Sequence, residues 1–293
     1  MTERYLTRIL RPRRLQRDSM SRERPSPLVV GAGLVVLTTL VFAVFGPLIA
    51  PTDPNATDLS IGVSPPVPGH PLGTDALGRD VLSRLIVGAR TALAGPVLVA
   101  IGAMIIGSVI GVVAGYMGGR IDGVVMRWAE LMYALPALLI VLVVVGIIGG
   151  GYVTAVALYI ILIAPFDARI VRGATLEQKP RAYVEAARGL GLPRRQIMLA
   201  HIWPNVAPVE LANAFLTIAW GITAFASLSY LGLGVDPGTP DWGRMLSDGR
   251  RLLTENPLAA LVPGIALVLL AASMDLLGNA FFDWYTKRRG QRP

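Results

Sequence analysis

Cysteine is absent from the 293 residues, and histidine occurs only as His70 and His201. Disulfides, thiolate chemistry and cysteine-based metal centres are therefore excluded, and two histidines do not make a histidine-rich metal site. Charge is scarce as well: Asp, Glu, Lys and Arg make up 16% of the chain, where soluble domains carry nearer a quarter. No G-x-x-x-x-G-K-[ST] sequence is present, so the chain has no phosphate-binding loop of that kind. Nor is there a plausible catalytic triad, and the few acids inside apolar stretches lack a metal-ligand pattern. The chain reads as non-catalytic, with no cofactor of its own.

What fills the chain is apolar: 53% of residues are hydrophobic, and the mean hydropathy is +0.58. Glycine, at 32 residues, suits close packing between membrane helices. Apolar runs of spanning length cover 28–50, 93–115, 128–148, 152–168, 206–231 and 258–281. The first shows no small-x-small cleavage site and is read as a retained span. The expectation is an all-α, polytopic membrane protein with six transmembrane helices. Its parts are a basic segment 1–27, a first span 28–50, an extracytoplasmic segment 51–92, a five-span core 93–281 and a tail 282–293.

The net charge of +8 could suggest nucleic acid, but its distribution does not. With the N-terminus cytoplasmic, 21 of the 27 lysines and arginines fall on the inner side and 6 on the outer. That bias places both termini in the cytoplasm and leaves no reason to invoke a nucleic acid. Within the outer segment, Val81, Leu82, Leu85 and Ile86 recur at helical spacing among Arg79, Asp80, Ser83 and Arg84. An amphipathic helix lying at the outer interface fits this pattern, as does a solvated loop with one short helix.

Between the fourth and fifth spans runs EAARGLGLPRRQIMLAHIWP, Glu185 to Pro204, inside a polar, basic loop covering 173–205. A helix is expected from Arg181 to Leu190, a break at Gly189, Gly191 and Pro193, and a second short helix from Arg194 to Trp203. Two short helices around a tight turn would make a compact knob, with small residues packed beside Gly191. Glu185 would either hold the knob through an arginine or backbone N–H groups, or face a partner.

Glu185, Ala186, Ala187, Gly191 and Pro204 stand where the cytoplasmic loop of bacterial ATP-binding-cassette importer permeases carries its pattern. His201 and Trp203 depart from the aliphatic-and-leucine tail of that pattern. His70-Pro-Leu-Gly-Thr-Asp75 with Gly78-Arg79-Asp80, then Gly115-Tyr-Met-Gly-Gly119, Ser229-Tyr-Leu-Gly-Leu-Gly234 and Pro240-Asp-Trp-Gly243 resemble one branch of it. That branch is the C-type permease of dipeptide, oligopeptide and nickel importers.

The resemblance implies a type I importer permease and a coupling helix at 183–192, with Tyr183, Glu185, Ala186, Ala187, Gly189, Gly191 and Leu192 meeting an ATPase. It implies a second, B-type permease, two ATPase subunits that bind ATP and Mg, and an extracytoplasmic or lipid-anchored binding protein. Short peptides are the implied substrate, with nickel chelate, glutathione and opine as alternatives. An ion-gradient transporter and a membrane scaffold are the readings from other classes.

Ionisable groups inside apolar spans are the remaining candidates. Asp275, with Asn213 and Ser229, would line the pathway, or the latter two would serve interhelical hydrogen bonds. Glu130 and Glu210 would snorkel or pair with arginines. Asp75, Arg79 and Asp80 would form an outer gate or meet the binding protein.

Overall fold

Ser26 and Pro27 start the first helix of the structure, a computed structural model that describes residues 26–149 and 151–290. The basic segment expected over 1–27 lies outside the described residues except for its last two positions, as do the final residues 291–293. Helix α1 (Pro27–Ile49) buries only Ala32, Thr39 and Gly46, one small residue every seventh position. Leucines and valines on its other faces are exposed, as a helix bordered by lipid requires.

Helix α2 (Val81–Met117) begins twelve residues before the apolar run expected for its span. Its N-cap, Asp80, accepts from the Ser83 N–H at 2.7 Å. The amphipathic outer helix is therefore corrected: it is the first turns of α2, and Val81, Arg84, Ile86 and Ala89 are buried against the protein. Leu72 and Asp75 from the preceding loop, with Trp242, Met245 and Asp248 from a later helix, supply that cover, so this face is turned to protein and not to lipid.

Glycines let α2 run against α5 (Gly151–Gln178) along most of its length. A Cβ on Gly107 would lie 2.5 Å from Asp167 Cβ, and one on Gly111 would lie 2.5 Å from the Ala168 carbonyl oxygen. Between these two helices the third span breaks. Helices α3 (Gly119–Tyr133) and α4 (Ala137–Ile148) meet at an angle of 78°. Pro136 lies at the break and disfavours helical backbone at Leu135. The uninterrupted span expected over 128–148 is corrected accordingly.

After the short helix α6 (Ala182–Gly189), a three-residue turn Arg194–Gln196 and a π-helical turn Ile197–Ile202 lead without interruption into α7 (Trp203–Tyr230). The second short helix of the expected knob is thus the foot of a span. Helices α8 (Trp242–Gly249) and α9 (Leu258–Gly290) complete the chain, and α9 continues through most of the segment expected as a tail.

Five helices have the length and hydropathy to cross a membrane, six if the bent α3–α4 pair counts as one span. Six crossings return the end of α9 to the side of the start of α1, the side that also carries α6. That is called the loop end below. The opposite, cap end holds residues 50–80 and 231–257. Among the described residues no strand longer than an isolated bridge occurs.

Candidate functional site at the basic loop

Two buried side chains fix α6 to the bundle. Val184 is 0% exposed and Ala187 4%, and both pack in a cluster with Tyr116, Val171, Ile197, Ile202 and Val206. Three and four residues apart fall on one face of a helix, so Val184 and Ala187 take that face. Tyr183, Glu185, Ala186 and Arg188 are left on the exposed remainder. Glu185 makes no ion pair among the described residues, so the option that it holds the knob is not the one realised. Leu190, an apolar side chain, is 80% exposed at the tip.

The turn after α6 is locked by backbone bonds. Gly191 adopts φ +74°. The Gly191 N–H donates to the Arg188 carbonyl at 2.9 Å, and the Leu192 N–H to the Ala187 carbonyl at 3.2 Å. This pair of bonds is a Schellman closure, which needs a left-handed residue where Gly191 stands. Gly189, expected to share in the break, is an ordinary helical residue. Small residues do not pack beside Gly191 either: a Cβ there would meet nothing within 4 Å. Its role is conformational, and the packed small residue is Ala187. Pro193 takes the N-cap of the following turn and not its first helical position.

Tyr116, at the loop end of α2, is marked in the sequence only as part of the Gly115–Gly119 motif, with no role of its own. It is the platform of the site: the Arg188 guanidinium lies 5.1 Å above its ring, and Arg188 Nε donates to its hydroxyl at 3.4 Å. Beside them a cavity of 380 Å³ is lined by Lys179, Arg188 and Arg194 with Tyr116, Leu192 and Ile197. None of these three cations enters an ion pair among the described residues. The loop therefore presents a short rigid helix, a bare leucine and a basic recess, which together can receive an acidic or amphipathic surface. The motif marks the tyrosine, but its pairing with an arginine 72 residues away leaves no signal in a local pattern.

The proposed outer-gate residues are placed differently from the expectation. Asp75 accepts from Arg79 Nε at 2.7 Å and from the Leu77 and Arg79 backbone N–H groups. Asp80 caps α2 and meets His70 Nδ1 at 3.0 Å. All three of Asp75, Arg79 and Asp80 are buried. Within this chain they tie the cap together. Asn256 ties the same loop to the start of α9, donating to the carbonyls of Leu72 and Thr74. Burial pushes the Asp241 carboxyl up from its ordinary value, opposed by the bond it accepts from the Arg244 N–H at 3.0 Å.

The candidates inside the spans do not form one group. Asp275 is exposed on α9 and accepts from Asn279 at 3.3 Å. An acid on the outer face of a spanning helix is costly in lipid, so this face of α9 calls for a cavity or a neighbouring chain. Ser229 is buried at the cap end, under Gly234. Asn213 makes an interhelical bond, donating to Asp167 at 2.8 Å. Glu130 is exposed and pairs with Arg127 at 3.1 Å, as expected. Glu210 is corrected: it neither snorkels nor meets an arginine but is buried, with Asp167 as its charged neighbour.

Residues 107–290 match the family described as the inner membrane component of binding-protein-dependent transport systems. The chain is similar to a probable D,D-dipeptide transport system permease protein of Escherichia coli (strain K12), 34% identical over 90% of this chain and 89% of that protein. It is similar to a glutathione transport system permease protein of Pectobacterium atrosepticum, 35% identical over 87% of this chain and 85% of that one. A dipeptide transport system permease protein of Alkalihalophilus pseudofirmus is 31% identical over 91% and 88%.

Proposed function

The chain belongs to the family of inner membrane components of binding-protein-dependent transport systems, and we propose that it carries short peptides inward across the cytoplasmic membrane. It is a multi-pass permease subunit of an importer; the peptide substrate is supported by the dipeptide and glutathione permeases to which it is similar.

In this reading the loop end is cytoplasmic, as the excess of arginine and lysine there supports. Two ATPase subunits bind ATP and Mg beneath it, and the exposed side of α6 docks on one of them. Hydrolysis belongs to those subunits and not to this chain. A second, B-type permease covers the outer face of α9 around Asp275, and an extracytoplasmic binding protein delivers the peptide to the cap end.

One observation carries the proposal: α6 is held by Val184 and Ala187 while Glu185, Ala186 and Leu190 are bare. A rigid element anchored on one face transmits a push from the other. ATP-driven closure of the ATPase pair then moves α5 and α7, which flank the loop, and opens the central path alternately to the two sides.

The test is uptake of labelled di- and tripeptides, with glutathione as a further arm, by proteoliposomes holding the complex with its ATPases and binding protein. Wild type is expected to take up peptide only with ATP. Glu185→Arg with Leu190→Ser is expected to leave the melting of the chain unchanged, to weaken its hold on the ATPase subunits and to lose uptake. An intact, ATP-hydrolysing complex that moves none of these peptides overturns the substrate; uptake unchanged in the double variant overturns the docking surface.

A further inference from the structure

Two buried acids and a buried hydroxyl come to one level between α2, α5 and α7 with too few partners. Glu210 on α7 is 1% exposed, and neither of its carboxyl oxygens has a hydrogen-bond partner. Asp167 on α5 is buried and accepts, among the described residues, only from Asn213 at 2.8 Å. Asn213 follows Glu210 by three residues and so shares its face of α7, which brings the two acids together. Ser108 Oγ on α2 is buried and likewise unpartnered. Register places it there: Pro96 lies 3.1 Å from the Cβ position of Gly221, and Val112 packs with Val206. That antiparallel register brings Ser108 level with Glu210, while its neighbour Gly107 abuts Asp167.

No cation offsets these acids. Among the described residues neither enters an ion pair. On α5, Arg169 is exposed over the Tyr133 ring and Arg172 is engaged by Asp122. On the π-helical turn, His201 lies against the Gln196 carbonyl. On α9, which packs along α7, Asp275 and Asp283 are exposed, and α2 brings only Ser108 to this level. Two ionised carboxylates sharing a buried site without a counter-charge are far less stable than the same pair carrying a proton.

We propose that Asp167 and Glu210 form a proton-binding site, the pair carrying one proton with Ser108 Oγ as a further acceptor. Calcium and magnesium take six or more oxygens, more than this site supplies, and Gly107 is packed against Asp167 where such an ion would need room. The location gives the proton a consequence. Helix α5 leads into the loop and α7 leads out of it, so any rocking that parts them separates the two carboxyls. Proton affinity then differs between the conformations, and by reciprocity pH biases their balance. The site is a property of this chain and does not depend on which solute is carried.

The test is infrared spectroscopy of the full-length chain in lipid nanodiscs, with the cognate subunits that co-purify, at neutral pH. Wild type is expected to show a protonated-carboxyl stretch that Glu210→Gln removes while melting at the wild-type temperature or above. Asp167→Asn, which changes the neighbour of the same group, is expected to shift the band. No band in wild type, or the same band in both variants, overturns the proposal. So does a band that appears only after sodium is replaced by choline, since an ion and not a proton would then occupy the site.

Discussion

The Leu192 N–H closes onto the Ala187 carbonyl at 3.2 Å across a left-handed Gly191. That bond ends α6 and turns the chain toward α7. Any residue with a Cβ at 191 meets the left-handed penalty, about 1–2 kcal/mol. Gly191→Ala is expected to lower the melting temperature of the purified protein by an amount matching that cost. Gly189→Ala two residues earlier is expected to do the reverse. Its backbone is helical and its Cβ position open, so removing glycine flexibility stabilises by roughly 0.5–1 kcal/mol. Equal effects at both positions would refute the Schellman assignment.

Val184 and Leu190 are both apolar and six residues apart, yet they have opposite surroundings. Val184 is fully buried beneath α6, whereas Leu190 stands at its tip. Val184→Ala removes packed methyl groups and is expected to cost about 1–2 kcal/mol, read from thermal unfolding. Leu190→Ala is expected to leave unfolding unchanged and to weaken association with the ATPase subunit, read by co-purification. A Leu190→Ala chain that melts early would mean the leucine is covered within this chain.

The six apolar runs and the short helix, expected over Arg181 to Leu190 and observed as Ala182–Gly189, were legible in the sequence because periodicity and length are local properties. The break of the third span had a local signal too, Pro136, which span-length reasoning passed over in favour of an unbroken apolar count. The fate of Arg84 was not legible. An alternation of charged and apolar residues looks the same whether the far side meets water or a folded cap, and here Arg84 donates to the Pro54 carbonyl at 3.0 Å. The same limit hid Glu210. Its meeting with Asp167 depends on the register of α5 and α7, 43 residues apart in sequence, and a single carboxylate in an apolar run reads equally well as snorkelling.

Gly107 tests the closeness of α2 and α5. An added Cβ would stand 2.5 Å from Asp167 Cβ and 2.9 Å from the Ala168 nitrogen, the latter backbone that cannot rotate away. Gly107→Ala is therefore expected to force the helices apart and destabilise by about 1–3 kcal/mol. Gly33→Ala on α1, where nothing lies within 4 Å, is the matched control and is expected to be neutral or slightly stabilising, as at Gly189. Thermal unfolding of both variants in the same lipid decides the matter.

Asp241 gives a stability effect that depends on pH. Burial raises its carboxyl above the ordinary value of 3.8 in the folded protein. A folded-state value above the unfolded one means that the folded protein binds the proton more tightly. The stability this contributes is complete below the ordinary value and is lost as pH rises through the raised one. Asparagine keeps an oxygen that can accept from the Arg244 N–H and carries no charge, and it is as good an N-cap residue as aspartate. Asp241→Asn is thus expected to melt at or above the wild-type temperature at neutral pH. The margin should shrink on acidification, as wild-type Asp241 takes up its proton. A margin that widens in acid would show that the ionised carboxylate, and not its neutral form, is what the cap favours.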